Sequence, residues 1–277
     1  MLGNGKKIGK KKNNLKMNKV IWITGASSGI GAELAIQYAK EDGVSLILSA
    51  RREKQLNEVK SICDVKTPIV LLPFDLIDFE KAEVHVKKAI SIFGKIDVLI
   101  NNGGISQRSK ILGSTFKVFQ TLIEVDYLGT VALSHALLPH FVNQKNGHFV
   151  VLSSVMGKFA SPFRSGYCAA KHALHGFFDA LRMEHKKDNI NVTMICPGFV
   201  QTKITINALT ENGTPLGTND PKTKKGLNLT QFCKKMRRAI ASNKWEVYYG
   251  KKEKWGVYLK RISNQLLHTV VVRSQVR

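Results

Sequence analysis

The 277-residue chain contains no apolar run approaching the roughly 18 to 20 residues that a bilayer-spanning helix requires. Its lysine-rich first twenty residues lead into no long apolar stretch of signal-peptide type. The sequence therefore predicts neither a membrane span nor export. Its four cysteines, Cys63, Cys168, Cys196 and Cys233, form no C-x-x-C pair, and no histidine stands at zinc-finger spacing from them. A disulfide framework and a structural metal are thus not indicated, and a reducing, cytoplasmic compartment is expected. Seven prolines and 22 glycines rule out collagen-like or Pro-rich fibres, and 43% hydrophobic residues is too many for a disordered chain.

Acidic residues are also scarce. Against 20 Asp and Glu stand 43 Lys and Arg, a net charge of +23, of which +7 falls in residues 1–20, +13 in residues 221–277 and only +3 between. A nearly balanced body with basic ends argues against a nucleic-acid groove built into the fold. No specific nucleic-acid partner is expected.

From Lys19 onward the pattern is strand, turn, helix, repeated at βαβ lengths. Apolar runs at Val20–Thr24, Val44–Ser49, Ile69–Leu72, Val98–Asn101, Phe149–Ser153 and Val192–Cys196 read as parallel strands buried on both faces. A seventh strand, Glu246–Tyr249, is expected at the edge. Helical spacing marks Ile30–Lys40, Glu53–Ile62, Phe79–Ile92, Phe116–Leu138, Tyr167–Lys187 and Gln231–Ser242. The α/β class follows, as one domain over residues 19–250 with a disordered basic arm over residues 1–18. Within it a loop rich in Thr, Asn, Gly and Pro, about residues 199–230, reads as a mobile substrate flap by the carboxyl ends of the strands.

Three groups of residues carry chemistry. TGASSGIG, Thr24 to Gly31, follows the first strand and opens the first helix, and Gly25, Gly29 and Gly31 allow a pyrophosphate to approach free helix N–H groups. After the second strand the chain reads Ala50, Arg51, Arg52 where an acid would hold the ribose 2′-hydroxyl of NAD, so the two guanidiniums favour NADP(H) over NAD(H). Tyr167 and Lys171 are four apart on one helix, where the ammonium is expected to lower the phenol pKa toward the working range. Ser154, just after the fifth strand, would present its hydroxyl at the same sheet edge.

TGASSGIG (24–31), NNGG (101–104), SSVMG (153–157), YCAAK (167–171) and PGFVQT (197–202), in this order and spacing, resemble the short-chain dehydrogenase/reductase family over residues 19 to about 250. The resemblance implies a single-domain Rossmann fold, a doubly wound seven-stranded parallel sheet with helices on both faces, in a homodimer or homotetramer. It implies hydride transfer between NADP(H) and a carbonyl or secondary alcohol, with Tyr167 handling the proton, Ser154 positioning the oxygen and Lys171 gripping the nicotinamide ribose. It places Ser27, Ser28 and Ile30 at the pyrophosphate, Asp75 at the adenine, and Asn101, Gly103, Pro197, Gly198, Val200 and Thr202 along the cofactor cleft. The alternative is a regulatory or scaffold protein that keeps the cleft without turnover.

Two positions depart from the family pattern. Gly103 replaces an alanine, and Asp126 stands where an active-site Asn holds a water in a proton relay, bringing a negative charge beside Lys171 or else serving a local salt bridge. No metal is expected: His172 and His175 lie three apart on a helix that also carries His185, with no third ligand in the sequence. The segment 251–277 reads as a basic amphipathic helix suited to peripheral contact with an anionic membrane, or to covering the substrate cleft or a neighbouring subunit.

Overall fold

VSLILS, residues 44–49, is buried at every position, and five of the six residues of KVIWIT at 19–24 are buried too. Such two-sided burial is stable only for central strands of a parallel sheet clad by helices on both faces. The computed structural model describes residues 19–274; the expected basic arm lies outside the described residues. Strands β1 (Lys19–Thr24), β2 (Val44–Ser49), β3 (Ile69–Leu71), β4 (Val98–Asn101), β5 (Gly147–Leu152), β6 (Ile190–Pro197) and β7 (Glu246–Tyr249) form one sheet in the order β3-β2-β1-β4-β5-β6-β7. Every pairing is parallel and β7 takes the edge, as expected. The chain winds outward from β1 to β3, then returns to β4 on the other side, so a crevice opens at the carboxyl ends of β1 and β4.

On one face lie α1 (Gly29–Tyr38), α2 (Glu53–Ile62) and, from late in the chain, the helix Leu229–Ala241; their Leu34, Leu56, Phe232 and Met236 bury against Ile21, Ile23, Leu46 and Leu48. The other face carries α3 (Ala82–Phe93), α5 (Gly129–Asn143) and α6 (Ser165–Glu184), which pack Val86, Leu133, Leu137, Leu174 and Phe178 on Trp22, Leu99 and Phe149. Each fully buried large side chain stabilises the fold by about 1.5–3 kcal/mol relative to exposure. Between α3 and α5, α4 (Phe116–Ile123) packs on α6.

The helix expected over Phe116–Leu138 is divided. One π-helical turn, Glu124–Leu128, separates α4 from α5. The extra residue of a π turn rotates the chain locally, and Asp126 is buried there with its Oδ1 accepting the Ile105 N–H at 2.7 Å. The end is displaced as well, because α5 runs through Pro139 to Asn143. A proline favours a break, but the last turn is held by Phe141, fully buried 4.8 Å from the Phe149 ring.

Two later segments also differ from the sequence expectation. The flap holds a short helix, α7 (Pro221–Lys224), and its Leu209 bridges to both Gln107 and Pro215; α8 is the helix Leu229–Ala241 named above. The C-terminal segment forms two helices, α9 (Trp255–Ile262) and α10 (Asn264–Arg273). Ser263, in extended conformation, ends the first and caps the second by accepting the Leu266 N–H. Val257 and Leu267 are buried with Val155 and Phe159, so these helices roof the crevice.

Candidate active site

A cavity of about 1660 Å³ lies at the carboxyl edge of the sheet. Ordinary ligand pockets span about 300–1,000 Å³, so this volume has room for a dinucleotide and a second molecule together. Its floor is the turn from β1 into α1, with Gly25, Ser27, Ser28, Gly29 and Ile30 in the wall. Gly25 has φ +62°, and a Cβ there would fall 2.7 Å from Gly103 Cα, so the two loops approach as only glycine permits. Gly31 is not in the wall; it lies beneath the turn, where a Cβ would clash with Gly25 O. Ser28 makes no side-chain cap and the first turn of α1 holds no acid, so its leading N–H groups are available to an anion.

Arg51, Arg52 and Asp75 line the rim. Arg51 Nη1 sits 3.5 Å from Asp75 Oδ2, and Arg52 Nη2 is 3.5 Å from Ser27 Oγ. Glu53 follows the pair in the sequence, but the acid that meets Arg51 is Asp75, which the fold supplies from beyond β3. Gly103, Pro197, Gly198, Val200 and Thr202 line the cavity. Asn101 does not. It is buried at the end of β4 with its Nδ2 on Ser134 Oγ at 2.9 Å, turned toward α5. The next residue, Asn102, takes the place in the wall and donates to Thr24 O at 2.9 Å and Gly25 O at 3.2 Å, tying the glycine turn to β4. Alternation along a strand explains the exchange, since neighbouring side chains leave it on opposite faces.

Ser154, Tyr167 and Lys171 come together on the opposite wall. The strand β5 ends at Leu152, and Ser154 caps a 3₁₀ turn, Val155–Gly157, its Oγ accepting Met156 N–H at 3.1 Å and donating to Pro197 O at 3.3 Å. Lys171 Nζ lies 5.6 Å from the Tyr167 ring centroid, 3.2 Å from Leu152 O and 3.7 Å from Asp126 Oδ2. Asp126 is fully buried and lies behind the wall, paired with Lys171 across the π turn. Its own carboxyl is pushed up by burial, against the pull of Lys171 and of the Ile105 N–H.

The Tyr167 phenol departs from expectation. Burial pushes it above its ordinary range; Lys171 and hydrogen bonding to Ser154 pull it down, and Asp126 adds to the rise. Lysine proximity alone suggests the opposite sign, but desolvation of a phenolate outweighs an ammonium that is itself shared with a carboxylate.

Sequence reading missed a second polar cluster at the cavity. Arg108 Nη2 and Arg164 Nη2 lie 3.2 and 3.5 Å from the same oxygen of Asp220, all three side chains being under 10% exposed. Asp220 sits in the flap and caps α7 through its other oxygen, which accepts Lys222 N–H at 2.7 Å. Asp-Pro at 220–221 marks a helix start; nothing local signals the arginines, 112 and 56 residues away. Also unforeseen is Glu253, whose Oε1 accepts Phe199 N–H at 3.1 Å and fastens the roof helices to the exit of β6.

The histidine reading changes in one respect. The fold brings Cys196 and Glu246 beside His175, with ligand atoms all within 4.8 Å. These atoms are already engaged: Lys158 Nζ lies 2.9 Å from Glu246 Oε1, and Ser153 Oγ lies 3.0 Å from His175 Nε2. Burial lowers His175 to about 4 and pushes the Cys196 thiol up, so the cluster is charge-balanced by Lys158 without a cation.

The fold and constellation define a Rossmann oxidoreductase. A family model described as short chain dehydrogenase matches residues 19–213, and the chain belongs to this family. It is 43% identical over 236 residues to dehydrogenase/reductase SDR family member 7 of Homo sapiens, a match covering 83% of this chain and 69% of the relative. Over 265 residues it is 36% identical to dehydrogenase/reductase SDR family protein 7-like of Drosophila melanogaster, covering 94% and 81%. Among solved structures, it superposes with a TM-score of 0.72 on an alcohol dehydrogenase from Thermococcus sibiricus complexed with 5-hydroxy-NADP, at 25% identity over 85% of this chain and 97% of the other. A short-chain dehydrogenase/reductase from Burkholderia phymatum in complex with NAD shares the fold with a TM-score of 0.76 at 22% identity, covering 88% and 92%.

Proposed function

We propose that the protein is an NADP(H)-dependent oxidoreductase that interconverts a carbonyl and a secondary alcohol on a small, largely apolar molecule. The carrying observation is the placement of Tyr167, Lys171 and Ser154 on one wall of a cavity whose floor is an anion-accepting glycine turn. The fit to a dinucleotide rests on the uncapped, acid-free start of α1 and on the close approach of Gly25 to Gly103. Arg51 and Arg52 suit a 2′-phosphate, and the NADP-type ligand of the Thermococcus sibiricus relative supports that preference. When bound, the nicotinamide supplies or accepts the hydride.

The rest falls to the side chains. Tyr167, held protonated by its raised pKa, donates to the carbonyl oxygen in reduction. Ser154 orients that oxygen, and Lys171 holds the ribose and stabilises charge on the phenol. The complete constellation argues against a scaffold that binds without turnover. Tyr167→Phe is expected to lower kcat about 10²- to 10⁴-fold with NADPH binding intact; near-normal turnover would overturn the assignment. Assembly into a homodimer or homotetramer and residence in the cytoplasm are further proposals, the latter supported by four buried, unbridged cysteines. Light scattering of the purified chain tests the former.

A further inference from the structure

The cluster of Arg108, Arg164 and Asp220 has charges that do not cancel. Two guanidiniums share one carboxylate oxygen, and no other acidic side chain forms an ion pair with them among the described residues. Arg164 is 3% exposed, and guanidinium groups keep their proton in proteins, so two positive charges face one carboxylate and the cluster carries a net positive charge. A buried net charge is strongly unfavourable unless something offsets it. One donor is left over as well, the buried Arg108 Nε, while the Nη1 groups bond Ser106, Gln107, Ser161 and Pro162.

Its position fixes which end of the cavity it serves. Arg108 follows Gln107, whose Oε1 accepts the N–H groups of Gly166 and Tyr167 at 2.8 and 3.3 Å, and Arg164 precedes Tyr167 by three residues. The Arg164 guanidinium lies 5.9 Å from the Phe199 ring centroid at the root of the flap. The anion-accepting start of α1 and the Arg51–Arg52 pair belong to the far end. Both cluster arginines reach the cavity wall, alongside Phe159, Phe199, Leu209, Leu259 and Val271.

We infer that the substrate end recognises an oxyanion, carboxylate or phosphate monoester, a few bonds from the reacting carbonyl, with the apolar remainder of the molecule under the C-terminal roof. This deepens the carbonyl-reductase reading and rests on it for the word substrate. The cluster also pins the flap, so the test must separate recognition from latching.

Calorimetric titration of the full chain in the presence of NADP⁺ with decanoate, decyl phosphate and decanol does so. The anions are expected to bind at least about 30-fold more tightly than decanol, the order of effect of a buried charge pair. Arg108→Gln should abolish that preference and Arg108→Lys retain part of it. Decanoate against decyl phosphate tells which anion is favoured. In turnover, 4-oxododecanoate should show a KM at least about tenfold below that of its methyl ester. Equal binding of decanol and the anions, equal KM values, or a uniform loss for all three ligands in Arg108→Gln, as a mere latch would give, overturns the inference and leaves the reductase reading standing. Anion-selective binding with neither oxo compound reduced would instead remove the reductase reading and leave the anion site.

Discussion

Asp126 Oδ2 and Lys171 Nζ face each other at 3.7 Å behind the Tyr167 wall, the carboxylate with 0% exposure. A negative charge thus sits two side chains from the proposed proton donor, and it contributes to the raised Tyr167 pKa.

Asp126→Asn removes that charge, so the phenol pKa falls. In alcohol oxidation, where Tyr167 must first lose its proton, the rising limb of kcat/KM is expected to move to lower pH. Stability gives a second readout. The Asp126 pKa is raised in the fold above the unfolded value of about 3.9, so as pH rises the unfolded chain releases this proton first and the wild type loses stability until the folded pKa is passed. Asparagine has no such loss. The Tm difference, variant minus wild type, should therefore grow as pH rises from 4; a constant difference would show that Asp126 does not titrate as described.

Replacing Arg51 and Arg52 together by alanine is expected to raise KM for NADP⁺ by roughly tenfold or more, with KM for NAD⁺ almost unchanged, since charge-assisted contacts contribute about 1.5–3 kcal/mol each before solvent screening. Steady-state kinetics with both coenzymes decides it. An equal effect on the two would mean that the guanidiniums do not read the 2′ position.

Asp220→Asn leaves two buried guanidiniums without their carboxylate. Breaking a buried ion pair from one side costs about 3–5 kcal/mol, which should appear as a lowered urea midpoint and as faster proteolysis within residues 202–228. An unchanged midpoint would argue that the cluster is not holding the flap.

The C-terminal roof has an outer surface. Of its exposed apolar side chains, Trp255, Tyr258, Ile262 and Val270 also line the cavity, whereas Leu266 and Val272 stand outside the cavity wall, in a segment that exposes Lys260, Arg261 and Arg273. Peripheral contact with anionic bilayers predicts co-sedimentation with phosphatidylserine vesicles at low salt that is lost at high salt. No helix among the described residues is long and apolar enough to cross a membrane. Failure to pellet at low salt would remove the proposal.

The parts of this molecule that were legible in the sequence are those built from neighbours. All seven strands, the glycine turn after β1, the arginines after β2 and the Tyr167–Lys171 spacing are each encoded within a few residues, because two-sided burial, turn chemistry and helical periodicity are local constraints. Where local rules erred, tertiary contacts overrode them. Pro139 is tolerated because Phe141 is buried beyond it, Asn101 turns away because strand alternation gives the wall to Asn102, and a uniform amphipathic pattern conceals the π turn at Asp126.

The sequence alone determined the class of fold and the family, and it offered Ser154, Tyr167 and Lys171 as the proposed catalytic side chains. Only the tertiary structure decided that Asp220 meets Arg108 and Arg164, that Glu246 and Cys196 meet His175, that the final segment is two helices closing the cavity, and that burial outweighs Lys171 at Tyr167. Each of these joins residues far apart in the chain or depends on how much solvent the fold removes. Charge pairing and desolvation depend on distance in space, which a linear pattern of side chains does not specify.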